Sequence, residues 1–260
     1  MKYILLMFIL TSSLLSETVS KQQCNEKGDG YIYAGEECIQ YVEFEGDKED
    51  SLNIVVHGAW KNGSNTLARY APFAETLNMN TDITTIAVAL PGYSKSSTNN
   101  FGGLLNKGHG EPSLVGKKEY VAFMSDLILK LKTKYNSTTV NYIGHSAGAF
   151  LGATVTGYTP GLIQNIVCAG GGHNIHKSMK NTTSLISLVD VVNNVNKNTK
   201  FLIVYGTKDK ISPPKRNINF HKFLQNNGLN STIIKVNGAG HLDLDMTDTS
   251  VDAISEMLDY

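Results

Sequence analysis

Thr138-Thr139-Val140-Asn141-Tyr142-Ile143-Gly144-His145-Ser146-Ala147-Gly148, continued by Ala149-Phe150-Leu151-Gly152-Ala153-Thr154-Val155-Thr156-Gly157-Tyr158, decides how the rest of the chain reads. The first six residues are a brief β-rich run, and from Ala147 a helical run begins, so a strand is expected to hand over directly to a helix. The handover is a Gly-x-Ser-x-Gly pentapeptide centred on Ser146. A serine hydroxyl is a poor nucleophile unless it is held in the open beside a base, and a sharp strand-to-helix turn does the holding. Glycines at 144 and 148 leave room for a turn that tight.

Working outward, the same alternation repeats. Short apolar, β-branched runs at 52–56, 83–90, 138–143, 164–169, 201–205 and 232–236 predict strands. Helical patterns at 66–78, 117–135, 147–158, 184–195, 215–227 and 247–258 lie between and after them. Residues 31–44 alternate like a hairpin interrupted at Gly35. Strands in regular alternation with helices build a mostly parallel sheet covered on both faces, so the fold class is α/β and doubly wound. The polar 25-residue link 92–116, which holds Gly102-Gly103 and Gly108-His109-Gly110, breaks the rhythm and is expected to form a substrate-facing rim.

Charge narrows the partners. The 260 residues carry 23 Lys plus Arg against 23 Asp plus Glu, and 21 of those cations are scattered lysines, which gives no reason to expect nucleic acid. Lys2, the apolar run 3–10 and the small residues Thr18-Val19-Ser20 read as a signal peptide over 1–20, with one domain over 21–260. The apolar run is far shorter than the ~20 residues needed to span a bilayer, so no integral span is expected once the signal is removed. The product is expected to be secreted, extracellular or periplasmic according to the cell envelope of its source. In an oxidising compartment Cys24 and Cys38 could close a short loop, leaving Cys168 as a small buried residue of a strand. Asn62, Asn136, Asn181 and Asn230 each begin a glycosylation acceptor.

A nucleophile needs a base and an acid to orient it, and doubly wound sheets gather such groups in loops at the carboxyl ends of their strands. The run 201–205 leads into Gly206-Thr207-Lys208-Asp209, and 232–236 leads into Asn237-Gly238-Ala239-Gly240-His241. The chain order Ser146, Asp209, His241, each after a different strand, follows. Asp243 and Asp245 stand beside His241 as substitute acids. His173 and His176 invite a metal reading, but no carboxylate or cysteine accompanies them at ligand spacing, so no metal is expected.

With these pieces assembled, the chain resembles the α/β-hydrolase superfamily from about residue 31 to its end. The likeness rests on His57-Gly58-Ala59-Trp60, Leu90-Pro91-Gly92-Tyr93-Ser94, the Ser146 elbow, and the Asp209 and His241 loops. The run 206–214 is similar to the acid loop of small esterases and dienelactone-hydrolase-like members. Only 173–199 separates the strands where many members insert a cap, so no large cap domain is expected. The resemblance implies a serine hydrolase acting on small-molecule or lipid-like esters without a cofactor. Ser146 would be nucleophile, His241 general base and Asp209 its orienting acid, with backbone N–H groups of Ala147 and of Ala59 or Trp60 forming the oxyanion hole. His57 would brace the oxyanion loop, and His145 would point away from the nucleophile. Peptidase activity, perhydrolase chemistry and a non-catalytic binding module remain alternatives on the same fold. Oligomeric state leaves no mark in the sequence.

Overall fold

Alternation of side chains in every central strand divides the apolar residues between two helical layers, because successive residues of a strand face opposite ways. This is seen in a computed structural model that describes residues 18–61, 63–96, 98–101, 114–177 and 182–258. The hairpin is β1 (Tyr31–Ala34) and β2 (Glu37–Phe44). The sheet continues with β3 (Lys48–Val56), β4 (Ile83–Val88), β5 (Thr139–His145), β6 (Asn165–Ala169), β7 (Lys200–Gly206) and β8 (Asn230–Val236). The helices are α1 (Lys21–Asn25), α2 (Thr66–Thr81), α3 (Lys118–Lys134), α4 (Ala147–Tyr158), α5 (Leu188–Val191), α6 (Pro214–Asn226) and α7 (Asp248–Leu258). On one face Ile54, Tyr142, Ile166 and Ile203 meet α3, α4 and α6; on the other Val55, Ile143, Val167 and Val204 meet α2 and α7.

The eight strands lie in the order β1-β2-β4-β3-β5-β6-β7-β8. From β4 to β8 all pairings are parallel, while β2 pairs antiparallel with both β1 and β4. The chain leaves β3 for β4 on one side and then reaches β5 on the other, so the order reverses at β3. Connections diverge there and leave a crevice at the carboxyl ends of the strands.

One feature of the sheet escapes the apolar reading of its strands. Asn53, Asn141 and Asn165 stand in register on β3, β5 and β6, with Thr85 opposite Asn53 on β4. Asn165 Nδ2 donates to Asn141 Oδ1 (2.7 Å), Asn141 Nδ2 to Asn53 Oδ1 (2.9 Å), and Asn53 Nδ2 to Thr85 Oγ1 (3.0 Å). The row crosses four strands beneath α2 and α7. Each amide satisfies the next, which is the condition for keeping such groups out of water.

The helix expected over 184–195 is much shorter. Leu185 bridges Lys117, and the Ile186 N–H donates to the Gly116 carbonyl (2.7 Å), so the chain arrives extended. Only Leu188–Val191 is α-helical, started by a Ser187–Asp190 capping box, and a 3-10 turn over Val192–Asn194 follows. The other predicted helices and strands stand within a few residues of their expected ends. Cys24 and Cys38 form a disulfide between α1 and β2, and Cys168 is buried in β6. Most of the expected signal segment, the glycine clusters of the 92–116 link and the acceptors Asn62 and Asn181 lie outside the described residues. No helix among the described residues is long and apolar enough to cross a membrane.

Candidate active site

Ser146 occupies the single-residue turn between β5 and α4, with φ 52° and ψ −113°. That is a left-handed backbone an L-residue adopts only when its surroundings enforce it. Close packing surrounds the turn. A Cβ on Gly144 would stand 2.7 Å from the Ala149 backbone, and one on Gly148 would stand 2.5 Å from the carbonyls of Val56 and His57. Both flanking positions of the pentapeptide therefore exclude any side chain. The Ser146 N–H donates to the Ala169 carbonyl at the end of β6 (2.8 Å), tying the turn to the neighbouring strand.

The loops after β7 and β8 bring the other two side chains to it. Both are stitched to one another: the Lys208 N–H donates to the Ala239 carbonyl (2.9 Å), and a Cβ on Gly206 would meet that same carbonyl at 2.5 Å. His241 Nδ1 lies 2.7 Å from Asp209 Oδ2, and its Nε2 lies 2.9 Å from Ser146 Oγ. A carboxylate only accepts, so Nδ1 carries the proton and Nε2 is left to accept from the serine hydroxyl. Asp209 is buried, and its Oδ1 accepts from the N–H groups of Ile211 and Ser212, both at 2.8 Å. Ser212 Oγ in turn donates to the Gly171 carbonyl (2.9 Å), so the acid loop is anchored to the segment after β6. Burial pulls the His241 imidazole below its ordinary value, against the opposing pull of Asp209.

Neither substitute acid is hydrogen-bonded to the His241 ring. Asp243 pairs with Arg69. Asp245 is buried, with its carboxyl pushed above the usual carboxylate range by desolvation, and is not hydrogen-bonded to His241.

His57 is fully enclosed. Its Nδ1–H donates to the Gly58 carbonyl (2.7 Å), and its Nε2 accepts from the Leu90 N–H (2.9 Å). It thus joins the loop after β3 to the loop after β4, and burial holds it neutral with a pKa lowered to about 4. The loop it braces runs against Ser146: a Cβ on Gly58 would sit 3.0 Å from Ser146 Cβ. Ala59 and Trp60 follow and line the same cavity as Ser146 and Ala147. The Ala147 N–H opens α4, where first-turn donors have no intrahelical partner. Trp60 serves two surroundings at once, since it faces the cavity, packs on the α2/α7 core and lies under the Arg69 guanidinium.

Sequence reasoning placed His145 only as pointing away from Ser146 and did not single out Gly170. His145 makes its hydrogen bonds to the His241 carbonyl (Nε2, 2.7 Å) and the Tyr70 hydroxyl (Nδ1, 3.2 Å), and so holds the His241 loop from below. Gly170, at φ +59°, opens the seat of the imidazole; a Cβ there would stand 3.1 Å from His241 Cε1. The run Gly170-Gly171-Gly172 after an apolar strand was the signal available for it. His173 stacks on Phe220 and Phe223, while His176 bonds Asp190 and Thr182.

The cavity over Ser146 is about 990 Å³, lined on one side by α6 and on another by the segment 170–177. A serine hydroxyl facing a cavity, with a hydrogen-bonded imidazole beside it, is an arrangement suited to acyl transfer.

The sequence profile describing the alpha/beta hydrolase fold matches residues 54–195. No curated protein matches the sequence. Among solved structures, an esterase of Pyrococcus furiosus superposes with a TM-score of 0.66 at 16% identity, over 88% of this chain and 90% of that one. Est1E of Butyrivibrio proteoclasticus, solved with ferulic acid bound, superposes with a TM-score of 0.61 at 15% identity, over 88% and 96%. The Bacillus cereus carboxylesterase does so with a TM-score of 0.58 at 18% identity, over 85% and 93%. At these identities what is shared is the fold.

Proposed function

The chain belongs to the alpha/beta hydrolase family, and on that premise we propose that it is a secreted serine hydrolase cleaving carboxylic esters through an acyl-enzyme on Ser146. The observation that carries this reading is the unbroken hydrogen-bond chain from Asp209 through both ring nitrogens of His241 to Ser146 Oγ. The esterases among its structural relatives support an ester as the substrate.

In the proposed cycle Ser146 Oγ attacks the acyl carbon while its proton passes to His241 Nε2. The resulting imidazolium is stabilised by Asp209, which keeps its own charge. The oxyanion takes hydrogen bonds from the N–H groups of Ala147 and of Ala59 or Trp60. The ester C–O bond then breaks, and the alcohol leaves with the proton from Nε2. Water repeats the sequence on the acyl-enzyme: it yields a proton to Nε2, attacks the carbonyl and releases the acid as Ser146 recovers its proton. Export is proposed on the apolar start of the chain and the Cys24–Cys38 disulfide, whose persistence suits an oxidising compartment.

A fluorophosphonate probe is expected to label Ser146 stoichiometrically in the folded protein, and short p-nitrophenyl esters are expected to be hydrolysed by wild type and not by Ser146→Ala. Folded protein that neither reacts with the probe nor turns over any ester would overturn the reading. N-terminal sequencing of exported material is expected to start near residue 21.

A further inference from the structure

The cavity over Ser146 is uneven in charge although the chain is neutral. Among the described residues its lining includes Lys177, Lys215, Arg216 and Lys222 and no aspartate or glutamate. Three of the cations belong to α6. Positions 215, 216, 219, 222, 223 and 226 all reach the cavity, a spacing that puts them on one face of a helix. At 1.5 Å per residue that face runs for roughly 16 Å along the wall.

The fourth cation comes from a different segment and converges on the same place. Lys177 and Arg216 both act on the His173 ring, adding to the burial that lowers its pKa to about 4. The aliphatic stem of Arg216 passes over Gly172, where a Cβ would be 3.6 Å from its Cδ, so the guanidinium rises from the glycine run that also seats His241. Apolar surface lies alongside: Val115, Phe150, Ile175 and Phe223 line the same space. A cavity of this size exceeds what a short neutral ester fills, and its one-signed charge raises the local concentration of anions.

Resting on the esterase reading above, we infer that the substrate is an ester bearing an anionic group, carried on an apolar spacer and held along the α6 wall by Lys177, Lys215, Arg216 and Lys222. The chemistry is that of a dicarboxylic hemiester or of an ester with a carboxylate, sulfate or phosphate on its alcohol. The cleavage is the one written above, and the anion only binds.

Two pairs of matched substrates test it. In the first, p-nitrophenyl hydrogen adipate is compared with the p-nitrophenyl ester of monomethyl adipate, so the charge lies on the acyl half. In the second, 4-carboxyphenyl hexanoate is compared with its methyl ester, so the charge lies on the alcohol half. Exposed ion pairs are individually weak, so several together are expected to favour the anionic member of at least one pair by about tenfold in kcat/KM. That preference should shrink at high salt, since screening reaches within about 3 Å at 1 M. The double variant Lys215→Glu/Arg216→Glu is expected to reverse it, and Arg216→Lys to retain most of it. Hydrolysis of the neutral esters with no anionic preference in either pair overturns this inference and leaves the esterase reading standing. An anionic preference indifferent to the double variant overturns it as well. Failure of all four esters together with failure of Ser146 labelling overturns both.

Discussion

At the scale of single residues, His241 is pulled in two directions, and the balance sets a measurable pH profile. Desolvation outweighs Asp209 and lowers its pKa below the ordinary imidazole value. In the proposed cycle the neutral ring is the competent base, so kcat/KM is expected to rise with pH through a midpoint below the usual histidine range and then level off. Asp209→Asn removes a partner that favours the imidazolium. Its midpoint should therefore move further down, while turnover falls on the order of a thousand- to ten-thousand-fold. Asp243→Asn, which breaks only the Arg69 pair, should leave both near wild type; a reversal of these two outcomes, read in pH–rate profiles, would move the orienting role to Asp243. Gly170 offers a steric test of the same ring. Gly170→Ala would place a methyl group 3.1 Å from Cε1 on a backbone with φ +59°, so kcat is expected to drop by about 10- to 100-fold with circular dichroism unchanged.

At the scale of elements, two buried polar devices hold neighbouring segments together. The Asn53–Asn141–Asn165 row joins β3, β5 and β6, and Asn141 is its middle member. Asn141→Ala would leave Asn53 Oδ1 and Asn165 Nδ2 without these partners, and is expected to cost about 2 to 5 kcal/mol in denaturant unfolding. His57 joins the loops after β3 and β4 in its neutral form only, because protonation of Nε2 would set it against the Leu90 N–H. Its folded pKa is about 4 against an ordinary 6.5, so the unfolded chain takes up the proton first. Stability from neutral His57 is therefore whole above pH 6.5 and drains as the pH falls toward 4, by roughly 3 kcal/mol in total. His57→Gln is expected to flatten that acid slope in urea titrations at stepped pH. A residual slope remains, since His173 titrates in the same window.

At the scale of the whole molecule, the Cys24–Cys38 disulfide ties α1 to β2 across a sequence separation of 14. A loop of that size closed in the unfolded state stabilises the fold by about 3 kcal/mol. Reduction is thus expected to lower Tm by several degrees, measured in matched thermal melts with and without reductant. Much of the architecture was legible along the chain. Short apolar runs marked β3 to β8, and the glycines around Ser146 marked the turn from β5 to α4, because strands and tight turns are constrained by their own residues. The helix expected over 184–195 was drawn too long, since its first residues are held in extended pairing with Gly116 and Lys117 by contacts distant in sequence. The asparagine row was missed for the same reason: one buried amide reads as a flaw in an apolar strand until its partners on adjacent strands are known.

The chain itself therefore determined which residues stand at the ends of which strands, and so nominated Ser146, Asp209 and His241. Only the strand order, with β3 between β4 and β5 and with β6, β7 and β8 following, decided that those ends are neighbours within hydrogen-bonding distance. It also decided that His145, Gly170 and the cationic face of α6 share the site with them. Local preference is written in adjacent residues, whereas adjacency between strands depends on how all the hydrophobic faces are buried at once.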